Sequence, residues 1–346
     1  MKKTLTYLAV LLVMAALVIF INQNKKQHAQ VPPDQDFAVK DVSIIGRIRL
    51  TDPQGTTADL RRANGYWTIN GKYRVMPSKI QLLLETVQKI TISKYVSNVQ
   101  MPHVMKELSE KATRVELFKE GEEKPFKVYY VGGHTADSKG TYMIMEIKGQ
   151  KANRPYVMYI PGMEGIVDVR YFTNEEEWRD TRIFSHTLDD IDAVAVTYPE
   201  QPENSFRIQV MHEDSFQVFS GAGQTNHPGT LYKEGVKRYL SSFSFIHAEA
   251  FVNERAIRDS LVHTRPFAII SLTDKSGSTH EVTIYLMPLN KRSKLQYDQF
   301  GNKLPYDLDR YYAFINQGKD FVIIQDFVFG KLLRKYPDFF TKRNPT

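Results

Sequence analysis

"GYWTING" (residues 65–71) and "DSFQVFSG" (214–221) set one pattern twice. Trp67 and Ile69 share one strand face, as Phe216 and Val218 do, with the period of two that marks a half-buried strand. An apolar run at helical spacing follows each. Ile80, Leu83, Leu84, Val87 and Ile90 form the first stripe. Val236, Tyr239, Leu240, Phe243 and Ile246 repeat its spacing.

Outward from these runs the correspondence continues in order. "VSIIGRIRL" (42–50) opens the first half and "IDAVAVTY" (191–198) the second, both apolar and strand-like. "KYVSNV" (94–99) pairs with "EAFVNE" (249–254). Val115 and Leu117 pair with Ile270 and Leu272. Beyond turns at "KEGEEK" and "DKSGST", Val128 and Tyr130 pair with Ile284 and Leu286. "TYMIMEI" (141–147) pairs with "RYYAFIN" (310–316), and "YVMYIPGMEGIVDV" (156–169) with "FVIIQDFVFGKLLR" (321–334). Strands joined by short turns run antiparallel, and an apolar stripe lets a helix cover a sheet face. The expected class is α+β. Two tandem similar repeats of mostly antiparallel sheet, each with helices on one face, follow one N-terminal transmembrane helix. Repeats in tandem bury their faces against neighbours, so a cleft or continued sheet at the seam is expected.

That transmembrane expectation rests on "LAVLLVMAALVIFI" (8–21), which no polar residue interrupts. From Leu5 to Ile21 the run spans about 25 Å at ~1.5 Å per residue, a little under the ~30 Å hydrocarbon core. Lys3 and Lys25 can snorkel outward. A cleaved signal peptide needs small residues just past the apolar run, and here Ile19-Phe20-Ile21 passes into Asn-Gln-Asn-Lys-Lys. An uncleaved signal anchor is the expectation for residues 1–26, with a polar tether containing "VPPDQD" over 27–40. The first repeat is expected over 41–184 and the second over 185–346. Lys2 and Lys3 orient the N-terminus to the cytoplasm, which puts the body on the periplasmic side of the cytoplasmic membrane.

Composition narrows the chemistry. Apolar residues make up 42% and charged residues 25% of 346, the balance of a folded chain. No cysteine is present, which removes disulfides, thiolate nucleophiles, Cys-ligated metals and lipoprotein attachment. Lys2, Lys3, Lys25 and Lys26 flank the apolar run, and no acid stands among residues 1–26. Much of the +7 net charge therefore sits there, and no nucleic-acid partner is implied.

The chain resembles the domain of unknown function 4340 family of bacterial envelope proteins. The resemblance lies in the anchor leading to "DVSIIGRIRLTDPQG", in "ANGYWTINGKYRVMPSKIQLLLETVQKI", and in "EWRDTRIFSHTLDDIDAVAV". It covers nearly the whole chain after the tether, but "VMKELSEKATRVEL" lacks the Tyr-Gly-Leu form found there. The resemblance implies association with an ABC-type export system, linked in some bacteria to gliding motility.

No catalytic signature stands out. "SGAGQTNHPGT" (220–230) places glycines before a helix without the spacing of a phosphate loop. Glu175, Glu176, Glu177, Asp180, Asp189, Asp190 and Asp192 could supply paired carboxylates, but Arg179 and Arg182 stand beside them as ion-pair partners in a solvated linker. The histidines include no H-x-x-x-H or H-x-H pair, so no metal site is expected; His247 reads as a core-edge residue. No cofactor is expected either. The one local oddity is "MPLNKRSKLQYDQFGNKLPYDLDR" (287–310), longer than its counterpart "VGGHTADSKG" (131–140). Lys291, Arg292, Lys294 and Lys303 mix there with Tyr297, Phe300 and Tyr306, as suits a partner surface or an anionic polymer; the plain alternative is a solvated hairpin tip. The expected function is that of a non-enzymatic envelope binding protein within a transport complex. An envelope hydrolase on glycan or peptide, and a ligand- or polymer-binding module at the seam, are the alternatives.

Overall fold

A computed structural model describes residues 31–212, 215–223 and 229–342, together with Met14. The chain forms two compact units that divide between Trp178 and Arg179, slightly ahead of the division after Phe184 expected from sequence.

The first unit is one antiparallel sheet with a helix on each face. In chain order it runs β1 (Ile45–Thr51), β2 (Thr57–Ala63), β3 (Tyr66–Ile69), β4 (Tyr73–Arg74), α1 (Pro77–Lys89), β5 (Thr91–Tyr95) and α2 (Met101–Lys111). Then come β6 (Thr113–Lys119), β7 (Lys127–His134), β8 (Thr141–Ile147), β9 (Gln150–Lys151), β10 (Tyr156–Tyr159) and the single turn α3 (Glu175–Trp178). The strand order is β4-β3-β2-β1-β6-β7-β8-β10-β5, with β9 paired to β8. Alternation decides which way β1 faces: Ile45, Ile48 and Leu50 are fully buried while Arg47 and Arg49 point outward. Proline at the start of α1 fits the helix entrance, and Ile80, Leu83 and Val87 turn one stripe onto the sheet. Residues read as tether belong to this core too. Phe37 and Val39 are buried in it, Val39 N–H bonds Val87 O at 3.0 Å, and Tyr156 donates to Asp34.

On the opposite face α2 lays Val104 and Leu108 against Ile144 and Val157. Glycine makes this approach possible. A Cβ on Gly132 would sit 2.7 Å from Leu108 Cδ2, and one on Gly133 2.5 Å from Glu107 Oε1. Away from α2 the same face meets water with a ladder of charges. Arg47 pairs with Asp59 at 2.6 Å, Arg114 bridges Glu116 at 2.8 Å and Glu146 at 3.0 Å, and Tyr130 donates to Glu146 at 2.7 Å.

The second unit runs β11 (Arg182–Phe184), β12 (Ile191–Thr197), β13 (Phe206–His212), β14 (Ser215–Ser220), β15 (Gly229–Leu231) and α4 (Lys233–Ser241). It continues with β16 (Ile246–His247), β17 (Ala250–Phe251), α5 (Ile257–Leu261), β18 (Ala268–Asp274), β19 (Thr279–Pro288), β20 (Tyr306–Ile315), β21 (Asp320–Gln325), α6 (Asp326–Phe329) and β22 (Phe340–Lys342). Its main sheet has the order β14-β13-β12-β18-β19-β20-β21-β17, and β11-β16 and β15-β22 form two small sheets. This main order is that of β3-β2-β1-β6-β7-β8-β10-β5 in the first unit. Register also agrees in detail: β1 slips against β6 between Ile45 and Arg47, and β12 against β18 between Ile191 and Ala193. Helix α4 buries Val236, Tyr239 and Leu240 on one face. Ile257 and Leu261 of α5 lie on the other, against Tyr285, Met287, Phe314 and Phe321.

The Arg179 guanidinium is buried in the second unit. It donates two hydrogen bonds to Asp320, at 2.9 and 2.8 Å, and lies 3.9 Å from the centre of the Phe251 ring. Asn316 Nδ2 donates to the same carboxylate at 2.8 Å.

Several sequence expectations are corrected. The architecture is mostly antiparallel β-sheet, with which the α+β class is partly compatible, but the helices lie on both faces of each sheet rather than on one. An N-terminal transmembrane helix is not supported: among the described residues no helix is long and apolar enough to cross a membrane. The apolar run 8–21 lies, save Met14, outside the described residues. The internal matches are also shifted. Ladder pairing equates Tyr129 and Val131 with Val282 and Ile284, and Met143 and Met145 with Ala313 and Ile315. Pairing by sequence ran one residue off over β8 and β10, which exchanges the two faces.

Two stability experiments follow. Gly132→Val forces α2 off β7, so chemical unfolding should show a loss of about 1–3 kcal/mol, with α2 amides exchanging faster. Asp320→Asn leaves Arg179 buried without its counter-charge and should cost the second unit about 3–5 kcal/mol. Burial alone would raise the Asp320 carboxyl, but Arg179, Asn316 and Asn253 bring it below the ordinary value. The unfolded chain therefore binds the proton more tightly. Stability from this pair is complete above about pH 4 and declines as pH falls through the lowered value. The acid limb of a pH–stability curve should be shallower in the variant.

Candidate functional site

The connection between β19 and β20 is a braced excursion over residues 289–305, where the first unit makes only the turn 135–140. Ser293 Oγ is buried and donates to buried Asp307 at 2.7 Å, which closes the neck of the excursion. At the tip Asp298 accepts from Phe300 N–H and Asn302 N–H, both at 2.8 Å, and Gly301 takes the positive φ of 83° that completes the turn. Tyr297 and Lys303 form an isolated bridge across it.

All seven sequence-predicted residues lie on this excursion or at its foot. Lys291, Arg292, Lys294, Tyr297, Phe300, Lys303 and Tyr306 are exposed, Phe300 to 79%. Leu295 and Leu308 add exposed apolar surface. Asp298 is the one acid among residues 289–305, and its carboxylate serves the turn. The four cations therefore face solvent without a carboxylate of their own loop to neutralise them.

The other sequence candidates are dispersed. Glu175 accepts from Asn70 at 2.7 Å, and Glu177 lies 3.5 Å from Lys79. Asp180 binds Arg182, Asp190 caps Thr187, and Asp192 accepts from Gln209. These carboxylates hold turns and ion pairs. Of "SGAGQTNHPGT", residues 224–228 lie outside the described residues; Gly221 packs tightly on Ser205, and Gly229 belongs to β15. His247 edges the core as expected, its Nδ1 buried without a hydrogen-bond partner among the described residues. In the first unit Arg47, Arg49, Arg61 and Arg62 line a groove, but Asp59 accepts from both Arg47 and Arg61.

One cluster went unpredicted. His186, between β11 and β12, meets Asp274 at the end of β18 and His280 near the start of β19. His280 Nε2 lies 3.5 Å from Asp274 Oδ2 and His186 Nε2 lies 3.9 Å from it; the ring centres are 4.7 Å apart. Ser276, by its hydroxyl, is the main influence holding the Asp274 carboxyl at about 2, helped by backbone N–H groups and His280. Burial, and then His280, push His186 below the ordinary histidine value. The sequence did hold a signal: Asp274 and His280 flank the Ser/Gly turn "DKSGST", where ladder pairing makes them diagonal neighbours on one face. His186 could not be added without the fold.

No family model, no curated protein and no solved structure matches the chain.

Proposed function

We propose that the protein is a non-enzymatic binding protein that docks on an acidic surface of a partner protein through residues 289–305. The observation that carries this reading is the bare aromatic tip. Phe300 stands in water on a turn whose backbone Asp298 holds by two hydrogen bonds, so little ordering entropy remains to be lost on docking. Large aromatic side chains at the centre of an interface carry much of its energy, and a rim of unneutralised cations steers an acidic partner. The described fold needs neither, since the first unit closes the same strand connection in residues 135–140. The resemblance to envelope proteins of ABC-type export systems points to a component of such a complex as the partner.

The experiment is site-specific photo-crosslinking of the full chain in its own cells. A probe placed at Phe300 should give one discrete adduct with a protein component. Charge reversal at Lys291, Arg292 and Lys294 should reduce that adduct at least tenfold, and a probe at Phe327, 93% exposed in the same unit, should not form it. Equal labelling from both positions, or an adduct indifferent to charge reversal, would overturn the reading.

A further inference from the structure

The cluster His186, Asp274 and His280 has the donor set of a metal centre and lacks the contacts of an ordinary hydrogen-bonded one. Asp274 divides its two oxygens. Oδ1 accepts from Ser276 N–H at 2.9 Å, from Ser276 Oγ at 2.5 Å and from Ser278 N–H at 3.0 Å, which fixes the carboxylate. Oδ2 is left facing two imidazoles at 3.5 and 3.9 Å, longer than a good hydrogen bond. His186 is anchored by its backbone, whose N–H donates to Phe243 O at 3.1 Å. Its Nε2 is the nitrogen turned to Asp274; the other, Nδ1, is buried with no hydrogen-bond partner among the described residues and would stay so with an ion on Nε2. One ligating atom from each of the three residues lies within 4.8 Å of the other two.

The scaffold does not ask for these residue types. In the first unit Val39 makes the backbone bond that His186 makes, Val39 N–H to Val87 O. Ladder pairing puts Lys119 opposite Ile45 where Asp274 stands opposite Ile191, and Lys127 opposite Leu117 where His280 stands opposite Leu272. One scaffold thus carries Val, Lys and Lys in one copy, and His, Asp and His in the other.

We propose that His186, Asp274 and His280 bind one divalent first-row transition cation, zinc by preference, with water completing its coordination. Two imidazoles and a carboxylate are a recognised donor set for such ions, whereas magnesium and calcium favour oxygen. Tetrahedral coordination at ~2.0–2.1 Å places donor atoms about 3.3 Å apart, so atoms now within 4.8 Å of one another need close by about 1.5 Å at most through side-chain rotation. His280 is 42% exposed and gives the ion a path from solvent, while His186 and Asp274 form the floor.

The test is titration of chelator-stripped full chain with Zn²⁺ alone by calorimetry, and with Co²⁺ by visible absorption. One equivalent of zinc should bind, and cobalt should show the intense bands of a four-coordinate site. His280→Ala removes a half-exposed ligand and Asp274→Asn keeps the Oδ1 acceptor of the turn. Each should weaken binding at least tenfold with an unchanged circular dichroism spectrum, while His103→Ala, in α2 of the first unit, should leave it unchanged. Substoichiometric zinc in the native protein, or wild-type affinity in both variants, would overturn the proposal.

Discussion

Both sheets are buried on two faces over half their width, and that constraint shapes almost every strand on that side. In β8 the residues Met143 and Met145 serve the core beneath α1 while Ile144 between them serves the core beneath α2. In β20 Ala313 and Ile315 face one way and Tyr312 and Phe314 the other; in β21 Val322 and Ile324 oppose Phe321 and Ile323. A strand so placed cannot alternate apolar with polar, because each side would expose hydrocarbon or bury an unpaired polar group. On the far side, where β1 and β2 meet water, Arg47, Asp59 and Arg61 return and alternation returns with them.

The same constraint explains what could and could not be read from the residues. Ile45, Ile48 and Leu50, the α1 stripe, and Trp67 with Ile69 announce themselves because one face of each is wet or the helical period is intact. Over β8, β10, β20 and β21 the period of two disappears into continuous apolar sequence. Nothing local then fixes register, and a one-residue error trades one core for the other. Helix α2 stands outside the sequence expectations although its apolar period is as strong as that of α1, with Val104 and Leu108 on its buried stripe. Its true marker is the Gly132-Gly133 pair in another element, which has meaning only once α2 is known to lie across β7.

The candidate sites differ in legibility on the same physical grounds. The excursion 289–305 could be found because an insertion is a local event: its cations, its aromatics and its Asp-x-x-Gly-Asn turn are contiguous in the chain. The metal-ligand set is assembled across the fold. Asp274 and His280 come together by hairpin register, and His186 reaches them because the segment after β11 is tied to the end of α4 through Phe243.

Both features stand in the second unit, at places where the first unit does without them. A shared strand order means the hydrophobic requirements are met alike in both, so residues that differ at matched positions are released from the fold's demands. Val39 is buried where His186 stands, and that exchange leaves a buried ring nitrogen without a partner among the described residues, which costs stability. Lys127 meets its need inside the protein, donating to Ala38 O and pairing with Asp36, whereas His280 meets a carboxylate at 3.5 Å and the ring of a second histidine. The first unit closes its polar contacts internally at this position. The second leaves three donors converging on one point, and Phe300, at the tip of its β19–β20 connection, bare to solvent. In both places several such groups gather at one spot, which the lone orphaned nitrogen of His247 does not show.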